Sequence, residues 1–135
     1  MPSAVQLIRA PGLSDAVDYA YAATAPPEAR LVFLAGACPL DTEGGTLAVE
    51  DYAGQAAACI ATLTGALEAA GAGLHDVIST RVLVASARRA DLVAAWEVIR
   101  GAFGEHDVPS TLLGVTVLGH EDQLVEIEAV AAVID

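Results

Sequence analysis

The chain has no lysine, and its six basic side chains are all arginine, against 18 aspartates and glutamates. The formal net charge is therefore -12 at pH 7. A chain this acidic repels polyanions at long range, so nucleic acid is an unfavourable partner. The same charge disfavours binding to an anionic membrane surface. RNA cleavage is correspondingly disfavoured, because it requires a basic groove or base-stacking platform.

Long apolar runs and cysteines are also scarce. Hydrophobic residues make up 55% of the chain, but no run reaches the roughly 18 residues that a membrane span needs. The N-terminus has no basic leader followed by an apolar segment, so we expect a cytoplasmic protein. The two cysteines, Cys38 and Cys59, lack Cys-x-x-Cys spacing and are interpreted as packing residues. At 135 residues we expect one domain, residues 1–135.

Hydrophobic periodicity predicts strands, a helix, a strand, a helix and two strands. The predicted strands are residues 5–8, 19–23, 31–34, 76–85, 111–118 and 124–134, and the predicted helices are 51–70 and 90–103. We expect the first three strands to form a hairpin and its neighbour. Each helix has one apolar stripe, Ala56, Ile60, Leu63, Leu67 and Ala70 in the first and Leu92, Trp96, Ile99 and Phe103 in the second. This order suits an α+β fold with two helices packed on one face of a mixed sheet.

Short stretches along nearly the whole chain resemble the RidA (YjgF) family, in the family's own order. Residues 17–22, 34–41 and 67–71 resemble its Gly-Pro-Tyr-Ser-Gln-Ala, Ser-Gly-Gln-Ile-Pro-Leu-Asp and Leu-Glu-Ala-Ala-Gly. Residues 109–113 and 124–128 resemble its Pro-Ala-Arg-Ser signature and its Val-Glu-Ile-Glu-Ala strand. The resemblance implies a chorismate-mutase-like fold and a homotrimer with small-molecule clefts between subunits. No phosphate loop or nucleotide fingerprint is present, so we expect no cofactor.

The resemblance also implies site residues. In catalytic family members an arginine binds the carboxylate of an enamine or imine, and a glutamate and a backbone carbonyl position the water that hydrolyses the C=N bond. By position the catalytic glutamate is Glu126, and the carbonyl belongs to Leu113. The residues that the resemblance places at the substrate are Tyr19, Gly36, Ala37, Trp96, Ser110, Thr111 and Leu113.

The family arginine falls on Thr111 in this chain. An arginine makes two charge-assisted hydrogen bonds to a carboxylate, whereas threonine offers one neutral hydroxyl. Losing a charged hydrogen bond weakens the binding of an α-imino acid by about one to two powers of ten. We therefore predict a hydrolase of the imine or enamine deaminase type with an altered substrate, or else a non-catalytic small-molecule-binding or structural trimer.

Other polar residues leave alternatives open. Glu126 and Glu128 alternate with apolar residues, so both can be solvated carboxylates on one face of a strand. Arg81 can replace the missing positive charge or pair with an acidic residue. The histidines His75, His106 and His120 lie in separate loops without ligand spacing, so we expect no metal site.

Overall fold

A computed structural model describes residues 3–135, and its elements follow the order predicted from the periodicity. The strands are β1 (Gln6–Ile8), β2 (Ala22–Thr24), β3 (Arg30–Phe33), β4 (Val77–Ala85), β5 (Ser110–Val115) and β6 (Val125–Val133). The helices are α1 (Tyr52–Ala69) and α2 (Arg89–Phe103), and a 3-10 turn at Leu74–Asp76 precedes β4. No helix within residues 3–135 combines the length and the apolar character needed to cross a membrane.

The first helix begins and ends where its sequence dictates. The Asp51 carboxylate accepts the Gly54 N–H at 2.9 Å, which satisfies one of the free donors of the first turn. The predicted stripe is confirmed, since Leu63 and Leu67 are fully buried. Gly71, at φ +77, follows the helix in a left-handed conformation that favours glycine and turns the chain away.

Four strands form one mixed sheet in the order β3-β6-β4-β5. The central strand β6 is antiparallel to β3 and β4, whereas β4 and β5 are parallel. Both helices cover one face, where Ile127 of β6 and Val82 of β4 are fully buried in the core. The expected α+β architecture is therefore correct, with two helices packed on one face of a mixed sheet.

The opposite face of this sheet carries no helix, and we call it the helix-free face. Side chains alternate between the two faces of a strand, so the residues next to the buried ones point to it. Its members are Leu31 and Phe33 of β3, Arg81 and Leu83 of β4, Thr111 and Leu113 of β5, and Glu126 and Glu128 of β6. Three of the site residues selected from the sequence, Thr111, Leu113 and Glu126, lie on it.

The predicted hairpin of the first two strands is confirmed, but the prediction that the third strand neighbours it is wrong. β1 and β2 pair with each other in a separate two-stranded sheet, and β3 pairs with β6. Pro26 and Pro27 separate β2 from β3 and have no N–H to donate, so they do not continue a ladder. Burial of Val32 against the helix-side core then favours β6 as the partner of β3. The second strand also begins at Ala22, which leaves Tyr19 in the preceding loop.

Candidate functional site

The Glu126 carboxylate lies half-buried on the helix-free face and is held by two side chains. Its Oε1 atom accepts the Gln123 amide N–H at 3.2 Å and the Cys38 thiol at 3.3 Å. Both donors act on the same oxygen, so Oε2 keeps its lone pairs for another partner. A carboxylate fixed in this way is oriented before any ligand arrives, which is what a general base requires.

The loop before α1 lies along β6 and brings Gly36 and Cys38 to this carboxylate. Ala37 makes an isolated bridge to Ile127, with the Ala37 N–H donating to Ile127 O at 2.7 Å and the Ile127 N–H donating back at 3.1 Å. The bridge places Gly36 against Glu126 so closely that a β-carbon there would be 2.7 Å from Cδ of Glu126. A β-carbon at position 36 would therefore displace the Glu126 carboxylate. Ala37 itself is buried by the bridge.

Gln123 and the loop around it were not identified from the sequence. Gln123 is buried, donates to Val125 O at 3.1 Å as well as to Glu126, and accepts the His120 N–H. The fully buried Gln55 of α1 fixes the same loop, because it donates to Asp122 O at 2.8 Å and accepts the Leu124 N–H at 2.6 Å. The available sequence signal was a glutamine three residues before the candidate glutamate. That spacing does not show whether the Gln123 side chain points toward Glu126.

Cys38 was interpreted as a packing residue, and the structure instead places its thiol on Glu126. Burial, the hydrogen bond to Glu126 and the negative charge of Glu126 raise the pKa of the Cys38 thiol to about 11. The sulfur is therefore a protonated donor near neutral pH and not a nucleophile. Cys59 is buried in the core, and burial raises its pKa as well.

Thr111 and Arg81 occupy matched positions on neighbouring strands. In the register of the parallel pair Arg81 lies opposite Thr111, and in the antiparallel pair it lies opposite Glu128. The Arg81 guanidinium approaches Glu128 with 3.5 Å between Nη1 and Oε1, and both side chains remain substantially exposed, at 56% and 44%. The prediction that Arg81 pairs with an acidic residue is confirmed. The next row along the strands is Leu113, Leu83 and Glu126.

A hollow of about 320 Å³ brings together several of the residues selected from the sequence. Its lining includes Tyr19, Arg81, Ser110 and Thr111. The Thr80 hydroxyl donates to Ser110 Oγ at 2.7 Å. Tyr19 packs edge-to-face against Tyr21, with the ring centroids 5.9 Å apart. Glu126 is not among the residues that line this hollow, so the two are separate within one subunit.

Trp96 does not line this hollow but packs behind Tyr19, which does. Its indole N–H donates to both Asp18 carboxylate oxygens, at 3.1 and 3.0 Å, and its ring packs edge-to-face against Tyr19 at 6.4 Å. Trp96 therefore supports the loop that carries Tyr19.

His106 contacts Val77 O at 2.7 Å and joins the α2–β5 loop to β4. Within residues 3–135 no cluster of three or more His, Cys, Asp or Glu side chains is arranged to hold a metal ion.

The arrangement offers an oriented carboxylate and a separate guanidinium on one open sheet face. The carboxylate can accept a proton from water, since one of its oxygens is not engaged by Gln123 or Cys38. The guanidinium can bind an anionic group, since its contact with Glu128 is longer than the 2.7–2.9 Å typical of a charge-assisted hydrogen bond. Leu83 lies next to Arg81 on the same face of β4 and directly opposite Glu126, and Leu113 continues this apolar row on β5.

Comparison with known proteins identifies the family. The family model described as Endoribonuclease L-PSP matches residues 13–133. A RutC family protein of Pyrococcus abyssi is 33% identical over 102 residues, which cover 76% of this chain and 78% of that protein.

Solved structures agree with the sequence relatives. A member of the YjgF/YER057c/UK114 family from Mycobacterium tuberculosis is 31% identical, with a TM-score of 0.64 over 96% of this chain and 99% of the other. A protein of the conserved Rid family from Yersinia pestis shares the fold, with a TM-score of 0.84 at 24% identity over 96% of this chain and 99% of the other. From these matches and the family model, the chain belongs to the RidA family, also named for YjgF and RutC.

Proposed function

We propose that this protein is a small-molecule hydrolase of the imine or enamine deaminase type. Glu126 accepts a proton from the water that attacks the C=N carbon, and the products are a carbonyl compound and ammonia. The observation that carries the proposal is the orientation of the Glu126 carboxylate by Gln123 and Cys38. Gln123 and Cys38 are far apart in the sequence, yet both donate to one oxygen of a carboxylate that water alone could solvate. This convergence favours a functional role for Glu126 over that of a solvated strand residue.

We propose that the active assembly is a homotrimer, with the ligand in clefts between subunits. Phe33 and Leu31 lie on the helix-free face and are 76% and 54% exposed in the isolated chain. Large apolar side chains grouped on one sheet face favour burial against another subunit. Association through this face would enclose the hollow at Thr111 and reduce the access of water to Glu126. A drier cleft strengthens each electrostatic contact within it.

The proposed substrate differs from a small α-imino acid held by a cation at position 111. Thr111 is exposed and offers a neutral hydroxyl, and the flanking Leu113 makes the cleft more apolar. Cleavage of RNA is disfavoured even though the matching family model is described as an endoribonuclease. A chain with a net charge of -12 repels the phosphate backbone that dominates nucleic-acid affinity.

The test is ammonia release from a panel of imines generated in the assay, both with an α-carboxylate, such as 2-iminobutanoate, and without one. We expect turnover above buffer for at least one member, and a loss of about two powers of ten or more in Glu126→Gln. In Thr111→Arg the preference should shift toward α-imino acids. If both the natural protein and Thr111→Arg leave every imine at the buffer rate, hydrolysis is refuted.

A second candidate is a non-catalytic small-molecule-binding or structural trimer. The apolar row of Leu83 and Leu113 beside Glu126 favours it, because the same side chains pack well against a neighbouring subunit. The two candidates differ in the response to Glu126→Gln. A binding or structural trimer keeps its mass and its ligand affinity in that variant and has no hydrolytic rate to lose.

A further inference from the structure

We propose that Arg81 binds an anionic group of the substrate, in place of a cation at position 111. This inference rests on the proposed function, because it assigns the substrate class of the same cleft. Arg81 is the arginine that lies on the helix-free face among the described residues. Three other arginines pair elsewhere, Arg9 with Asp107, Arg30 with Asp135 and Arg100 with Asp18, while Arg88 and Arg89 lie at the start of α2.

The strand register places Arg81 directly beside position 111, where the family arginine falls. Arg81 and Thr111 are direct partners on parallel strands, so their side chains leave the same face about 4.8 Å apart. Both line the hollow of about 320 Å³. Compared with an arginine at position 111, Arg81 therefore presents its guanidinium from the neighbouring strand and at the same cavity.

The move brings the positive charge closer to the candidate base. Arg81 is on β4, adjacent to the strand that carries Glu126, and the two positions are diagonal neighbours. Diagonal positions on paired strands are about 7–8 Å apart, within reach of a long side chain. A cation at position 111 would lie one strand further away. Within one subunit, an anion bound to Arg81 would therefore lie one strand nearer to Glu126 than an anion bound at position 111.

The charges on the open face favour this assignment. Glu126 and Glu128 are both negative, and a free anion would be repelled from a chain of net charge -12 unless a local cation attracted it. Arg81 is that cation. Its contact with Glu128 is long and exposed, so little has to be broken to bind a ligand. Glu128 acts as a weak competitor that holds the guanidinium on this face in the absence of an anion.

The experiment compares oxo acids with their neutral amides, since oxo acids are the stable products of C=N hydrolysis. Binding of 2-oxobutanoate, 4-oxopentanoate and the matching amides is measured by NMR titration, with the solution mass of each variant recorded. The natural protein should bind at least one acid about tenfold or more tightly than its amide. Arg81→Gln should abolish that difference, Arg81→Lys should retain part of it, and Arg89→Gln should leave it unchanged.

Glu128→Gln provides a test that does not depend on loss of function. Removing the competing carboxylate should strengthen acid binding by several-fold and leave amide binding unchanged. No acid preference in the natural protein, or a preference that persists in Arg81→Gln at unchanged mass, overturns the assignment. Hydrolysis that requires Glu126 but has the same rate in Arg81→Gln overturns it as well and leaves the proposed function intact. An Arg81-dependent acid preference without turnover of any imine supports the anion site and refutes the hydrolase.

Discussion

Replacement of Gly36 by alanine should disturb the Glu126 carboxylate directly. A β-carbon at position 36 would lie 2.7 Å from Cδ of Glu126, and its three nearest atoms all belong to that side chain. Ordinary carbon contacts are about 3.5–4.0 Å, so the carboxylate must move by about 1 Å. Such a movement lengthens the contacts to Gln123 and Cys38, at 3.2 and 3.3 Å, beyond hydrogen-bonding distance.

The expected cost follows from these losses. Overpacking costs about 1–3 kcal/mol, and the lower conformational entropy of the unfolded alanine chain returns about 0.4–1 kcal/mol. We expect Gly36→Ala to lower the free energy of unfolding by up to about 2.5 kcal/mol, measured by urea denaturation at matched protein concentration. The loss of hydrolytic rate should be larger than this, because the base is displaced.

Two variants isolate the cause. Gly65→Ala is the matched control, because a β-carbon there meets nothing within 4 Å and the helical site should gain about 0.5–1 kcal/mol. In a Glu126→Ala background the destabilisation by Gly36→Ala should disappear, since the clashing atoms are gone. If Gly36→Ala costs the same with and without the Glu126 side chain, the close approach of these two residues is not what glycine permits at position 36.

Other predictions concern the thiol and the core. Cys38, whose pKa is raised to about 11, should react with iodoacetamide slowly at pH 8 and fast only toward pH 11. Glu126→Gln should accelerate the reaction, because the hydrogen bond to Glu126 and the negative charge of Glu126 both raise the pKa of Cys38. Because the pKa of the Cys38 thiol is higher in the folded state, the unfolded chain loses this proton first as the pH rises. The free energy of unfolding should therefore fall between about pH 9 and 11, and less steeply in Cys38→Ala. A rise over that window would contradict the raised pKa of Cys38. Leu63→Ala, at a fully buried position of α1, should cost about 2–5 kcal/mol in urea denaturation, whereas Val117→Ala, 78% exposed, should stay within about 0.5 kcal/mol, and equal effects would contradict the core as described.

Local periodicity predicted the helices well because each apolar stripe lies in one contiguous segment. The buried residues Leu63 and Leu67 of α1 and Ile99 of α2 all come from the predicted stripes. Strand pairing was harder, since it depends on which distant segments meet. β3 was placed beside the hairpin, but its partner β6 begins at Val125, more than ninety residues later in the chain. No local pattern specifies such a partner.

The candidate site was predictable in its position and not in its contacts. Family landmarks identified Glu126 and Thr111, but the hydrogen bond from Cys38 to Glu126 spans 88 residues and depends on the Ala37–Ile127 bridge. Gln123 is directed toward Glu126 by a turn in which Asp122 adopts a left-handed φ of 62. Arg81 and Thr111 are likewise adjacent because β4 and β5 pair in parallel, and the sequence alone does not specify that pairing.

The most direct measurement is competition between the protein and semicarbazide for a freshly generated imine, with the natural protein and Glu126→Gln at equal concentration. Both 2-iminobutanoate and a neutral imine are supplied in parallel. The expected result is that the natural protein lowers the semicarbazone yield for at least one of them and that Glu126→Gln does not. Equal yields with the two proteins, at equal solution mass, would contradict a catalytic role for Glu126.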